Sequence, residues 1–447
     1  MLGPLQFSHR SANPSMRFFR QALLPAALLF VLSAMYADAA IVNWTYPASS
    51  DWSGAANWDG PVPTANDDAY ISNGGTAAIA QTAACEWLFV DRGSGITFEN
   101  GGVGTLSADV EDVGLSGTGT ITQTAGSNSI SYNLRLGVDA GSKGTYLLGG
   151  TGTLSTNLEF VGDGRNGAGT FQQSGGTHSI ADSLYLGNAG TGTFTLTGGT
   201  QTISNALVLA TSPSSRGTYN LEGGTLRLKS ISKGSGTAAF NFGGGTLKLD
   251  GPLSSNLPMT LTGTGGNANL DSNSFAAALS GLLSGAGGLN KLGAGVLTLS
   301  AMNSYRGDTV VEAGTLSIEG GIDAAGTSLL DVQAGLAVIK TVNVNKPNLD
   351  IHTADAAKVR FSSGSHVVGS IAGTGITQVD STATLTAASI VQNTLIIGSF
   401  PSAGEAVITS DNPAVCVPEP GSIVIFLTGS FLAFAAFLRR KRTSAGQ

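Results

Sequence analysis

Side chains that could do chemistry are few in this chain and thinly spread. Asp139, Asp163 and Asn188 stand at equivalent places, just after L-x-L-G-type strand ends in successive units. Stacked, they would offer a short ladder of oxygen ligands of the kind Ca²⁺ takes. Turn chemistry accounts for the same residues more simply, because Asp and Asn side chains bond their own nearby backbone. Attack on a glycan needs carboxylates converging with a basic residue, and Asp139, Glu159, Asp163, Asp182 and Glu222 are dispersed along the chain. His178, His352 and His366 are scattered, and a lone histidine on a strand reads as a surface residue. Cys85 and Cys416 lie at opposite ends, so no disulfide between them is expected. The spacings of a nucleophile elbow, a zincin helix, a C-x-x-C pair, a P-loop or an EF-hand are missing. No catalytic residue, cofactor or metal is expected.

Trp44, Trp52 and Trp58 form a cluster near the start. Aromatic faces suit sugar rings, but stacked repeats also need a cap over their open end, which is the plainer reading.

The element that must position all of these is a repeat. A Gly-Thr pair followed by an apolar residue recurs at Gly119-Thr120-Ile121, Gly144-Thr145-Tyr146, Gly169-Thr170-Phe171, Gly192-Thr193-Phe194 and Gly217-Thr218-Tyr219. Glycine pairs follow most copies, as at Gly149-Gly150, Gly175-Gly176, Gly198-Gly199 and Gly223-Gly224. Between them residues alternate with period two, the mark of strands with one buried face. The alternation assigns Ile130, Tyr132, Leu134 and Leu136 to one face, and likewise Leu154, Thr156, Leu158 and Phe160. It predicts Leu134, Leu158, Leu184 and Leu207 stacked inside. Two or three short strands cannot bury an apolar face alone, whereas stacked units can. The fold class is therefore all-β, a parallel β-helix with about one unit per coil. A β-propeller is the alternative, though its blades run to about 40–50 residues. The net charge of −7 rules against a nucleic-acid partner.

Both ends read as addresses. Arg17 and Arg20 precede an apolar run over 22–34, and Ala37 and Ala39 occupy the small-residue positions of a signal-peptidase site. Residues 1–15 carry no pattern, and Met16 is an alternative start. Residues 421–438 carry no charge and are long enough to cross a bilayer as one helix. Arg439, Arg440, Lys441 and Arg442 follow as a stop to transfer. Directly before the span stand Val417, Pro418, Glu419 and Pro420. Tetrad, span and basic stop together resemble the PEP-CTERM sorting signal of Gram-negative bacteria. That resemblance implies processing by an exosortase-type membrane enzyme and delivery to the cell surface or medium.

A longer unit runs over 288–316, with Lys291, Gly293, Gly295, Leu297, Leu299, Ser300, Asn303, Tyr305, Gly307, Thr309, Gly314 and Leu316. It resembles the autotransporter-associated β-strand repeat of passenger domains, which again implies β-helix. The organisation expected is a signal peptide with its extension (1–39), a Trp-rich cap (40–104), a repeat β-helix (105–320), further coils and a linker (321–416), and the sorting signal (417–442). The function expected is that of an exported, non-enzymatic structural or adhesive surface protein, tethered through one helix, with extracellular polysaccharide a further candidate partner. The alternative is an extracellular carbohydrate-active β-helix enzyme, a lyase or hydrolase.

Overall fold

The computed structural model describes residues 39–98, 103–323, 326, 328–340 and 344–398, and the backbone of 406–409 and 423–424. These residues form a parallel β-solenoid of about 15 turns. One coil shows the plan: Lys143–Leu148, Thr153–Thr156 and Leu158–Val161 follow one another around three sides. Each strand then pairs in parallel with its counterpart one coil on, giving three columns. The Gly-Thr pairs fall into register in the first column, Thr145 opposite both Thr120 and Thr170.

The glycines are there for two different reasons. A Cβ on Gly144 would run into the carbonyl of Val113, at the end of a third-column strand. The second glycine of each pair turns the chain with a left-handed backbone, φ being 53° at Gly150 and 67° at Gly176, where residues with a Cβ are strained.

The lumen is the core. In the first column Ile121, Tyr146, Phe171, Phe194, Tyr219 and Phe240 are aligned one above another and buried. In the third column Leu88, Leu134, Leu184 and Leu207 do the same. Leu158 departs from the expectation. It lies half-buried on the outer face, and Glu159 takes the inward place opposite Leu134 and Leu184. The corner explains the change. From Ile130 to Leu134 and from Ile180 to Leu184 the inward positions are four residues apart, but Asn157 alone separates Thr156 from Leu158. One residue fewer at the corner inverts the alternation after it.

From Leu253–Ser255 to Thr394–Ile397 the third column continues as a separate parallel sheet, closed by an antiparallel strand, Ala406–Thr409. Among the described residues no helix is long and apolar enough to cross a membrane. The span expected over 421–438 lies outside the described residues except for Ile423–Val424. Those two are a short strand, antiparallel to Thr386 and Ala387, and not helical. Ala37, Val417, Pro418, Glu419, Pro420, Arg439, Arg440, Lys441 and Arg442 also lie outside the described residues, and Ala39 is the first residue within them.

Candidate functional site

The groups with the most chemical potential face inward. Glu111, Asn128, Glu159, His178 and Gln201 are all fully buried or within 1% of it. They form two chains that climb obliquely through the lumen. In the first, Asn128 Nδ2 donates to Glu111 Oε2 at 3.1 Å and to Tyr146 OH at 3.2 Å, and Tyr146 OH donates to Gln123 Oε1 at 2.6 Å. In the second, His178 Nε2 lies 2.8 Å from Glu159 Oε2. Gln201 Nε2 meets His178 Nδ1 at 3.3 Å, and Tyr219 OH donates to Gln201 Oε1 at 2.6 Å. Gln201 thus faces one ring nitrogen, while His178 Nε2 and Glu159 Oε2, though close, make no hydrogen bond. His178 is therefore a lumen residue, not the surface histidine its isolation suggested. It also stacks on Phe171, ring centroids 4.8 Å apart. An acid and an imidazole in contact could serve as a general base, but these are sealed from any substrate.

On the outside the turn residues engage one another. Asn188 Nδ2 donates to Asp163 Oδ1 at 2.9 Å, one coil apart. Ser142 N and Oγ donate to the Asp139 carbonyl at 3.2 and 2.8 Å. Ser142 thus closes a turn on the Asp139 backbone, whereas the Asn188–Asp163 bond links side chains of adjacent coils. Among the described residues no group of three or more His, Cys, Asp or Glu is placed to hold a metal ion.

Trp44, Trp52 and Trp58 are buried and packed edge to face, with centroids 5.0 and 4.8 Å apart. Trp58 Nε1 donates to the Trp52 carbonyl at 2.8 Å. No ring face is left for a sugar. Tyr132, expected on the inner face, and Tyr46 are exposed singly, and further aromatics stand in a third-column row running Tyr70, Phe89, Asp112, Arg135, Phe160 and Tyr185. Tyr70 stacks on Phe89 at 4.2 Å and Phe160 on Tyr185 at 5.0 Å. Because each ring covers its neighbour's face, the row turns mainly ring edges outward, which suits sugar stacking poorly. Between the stacks Arg135 grips Asp112 with two bonds, Nε at 2.7 Å and Nη2 at 2.5 Å. Burial raises the Asp112 carboxyl, and Arg135 pulls it back down.

The most regular outer surface is the second column. Thr82, Thr105, Ser127, Thr153, Thr177 and Thr200 stand in register as one row. Ser107, Ser129, Ser155, Ser179 and Thr202 form a parallel row. Hydroxyls bond along the ladder, Thr105 to Thr82 at 3.2 Å and Ser155 to Ser129 at 3.3 Å. In the next two coils Arg227 and Lys248 continue the second row and pair across coils with Asp250 and Asp271.

The long unit uses its distinctive residues to hold backbone. The buried Lys291 sends Nζ to the carbonyls of Leu292, Gly293 and Ala313 at 2.8, 2.7 and 3.1 Å, and burial pushes its ammonium down to about 8. Asn303 accepts from Leu283 N at 2.8 Å and donates to the Ala301 carbonyl at 3.1 Å. Tyr305 OH meets Thr309 Oγ1 at 2.6 Å in the core. The sequence singles out Glu159 and His178 but not their place in the lumen, and it passes over Glu111; the trace of all three is a polar residue at an inward-phase position.

No curated protein and no solved structure matches the chain. Residues 289–318 match one family, the passenger-associated-transport-repeat, and Lys291, Asn303, Tyr305 and Thr309 fall within the match, so this part of the solenoid is built like a passenger-type repeat.

Proposed function

We propose that the protein is an exported, non-enzymatic structural or adhesive component of the cell surface. The single observation that carries this is the second column's outer face. It holds two registered rows of hydroxyls over successive coils, uncharged up to Thr202. Such a flat, repeating, neutral face suits a hydroxyl-rich polymer, and extracellular polysaccharide is the partner of matching chemistry. The passenger-type repeat supports a place outside the cell. The signal-peptide pattern and the terminal tetrad, span and basic stop support export followed by processing by an exosortase-type enzyme.

The test is retention of the purified protein by polysaccharide extracted from the producing cells. The Thr153→Arg/Thr177→Arg variant changes two outward side chains and leaves the core intact. The wild type should be retained and the variant released. Equal behaviour of the two, or no retention of either, would remove the adhesive reading.

A further inference from the structure

Glu111 occupies a position that its neighbours fill with leucine, Leu88 in the coil before and Leu134 in the coil after. Its carboxyl is fully buried there and bonded to Asn128 from the second column. Within this pair the two atoms left without a partner are Glu111 Oε1 and Asn128 Oδ1. Both are acceptors when the acid is ionised. A proton on Glu111 turns one of them into a donor, and acid and amide can then bond in both directions.

We propose that Glu111 and Asn128 form a pH-released latch between adjacent coils, closed as an acid–amide pair and opened by loss of one proton from Glu111 to solvent.

The surroundings agree with that assignment. Burial raises the Glu111 carboxyl to about 8, against the opposing hydrogen bond of Asn128, and neighbouring Asp112 adds to the rise. The other titratable groups facing the site are Cys85 and Tyr146, both pushed well above their ordinary values by burial. They are still neutral when Glu111 ionises. Asp112, on the opposite side of the same strand, is tied to Arg135. Glu111 thus ionises before Cys85 and Tyr146 as the pH rises. A carboxyl raised on folding supports the fold fully below its unfolded value of 4.5, and that support is lost as the pH climbs through about 8.

The test is peptide-resolved hydrogen exchange on the full chain at pH 5, 7 and 9, corrected for intrinsic rates. Peptides from 105–136 should open more often by a factor on the order of a thousand across this range, since each pH unit between the unfolded and folded carboxyl values multiplies the opening about tenfold. Peptides from 289–318 should not follow them. Glu111→Leu copies the neighbouring coils and should flatten the response. If that variant does not fold, Glu111→Gln keeps the shape and takes its place. The infrared band of a protonated carboxylic acid, present at pH 5, should weaken in the variant. A flat wild-type response, or an equal response in the variant, overturns the latch.

Discussion

Phe171 lies parallel to Tyr146 one coil below it, with the ring centroids 4.9 Å apart and the planes at 0°. Phe194 continues the stack at 4.6 Å. Phe171→Ala therefore opens a gap in the middle of a ladder, which should cost about 3–5 kcal/mol. Chemical denaturation followed by circular dichroism measures it. A loss under about 1 kcal/mol would show that the lumen repacks around the gap.

Glu159 and His178 answer each other in the same lumen. Glu159→Leu alone leaves the imidazole buried without its acid and should cost about 3–5 kcal/mol. The double variant Glu159→Leu/His178→Leu restores the residues that Leu184 and Leu154 supply in the same rows. It should regain most of the loss. If the double variant is as unstable as the sum of the singles, the pair is not coupled.

Leu184→Asp places a carboxylate where 0% of the side chain meets water. The expected cost is several kcal/mol. Limited proteolysis should show several coils opening around residue 184, while wild type stays intact under the same protease. Cleavage confined to the chain ends in both would contradict the lumen assignment.

Glu111 and Glu159 are sealed in the lumen, and Asp112, Asp250 and Asp271 are paired with cations of other coils. The protein over 41–416 should release no product from a panel of plant and bacterial polysaccharides. Turnover that disappears on changing one carboxylate would establish an enzyme instead.

Sorting can be tested at the tetrad. With Pro418→Ala/Pro420→Ala the protein should remain in the inner membrane at its exported length. The wild type should be shorter by about 30 residues, as the sequence from 417 onward implies. Identical size and location for both would mean that 421–438 is an ordinary anchor.

The solenoid was legible because its glycines and its alternation report backbone geometry directly. Gly144 and Gly150 mark a close approach and a left-handed turn that nothing else in the code can replace cheaply. The passenger-type repeat was legible for the same reason, through Lys291 and Asn303, each of which bonds carbonyls of a fixed turn. The polar lumen was not. His178 and Glu159 sit in strands whose local pattern fits either face, and their contact spans a coil boundary. Only the column register brings them together, and register is a property of the stack.

The corner at Asn157 acts as a parity switch. With a side-chain period of two, losing one residue at a bend exchanges inside for outside along the next strand without any substitution. The same step occurs in other coils: after Ala108 the next inward residue, three positions on, is Glu111. After Leu228 the next inward residue is again three positions on, and there the sequence supplies Ile231. After Thr156 it supplies Glu159. Insertions and deletions of a single residue, ordinarily neutral in a surface loop, are in this fold a route by which an outward acid becomes a lumen acid.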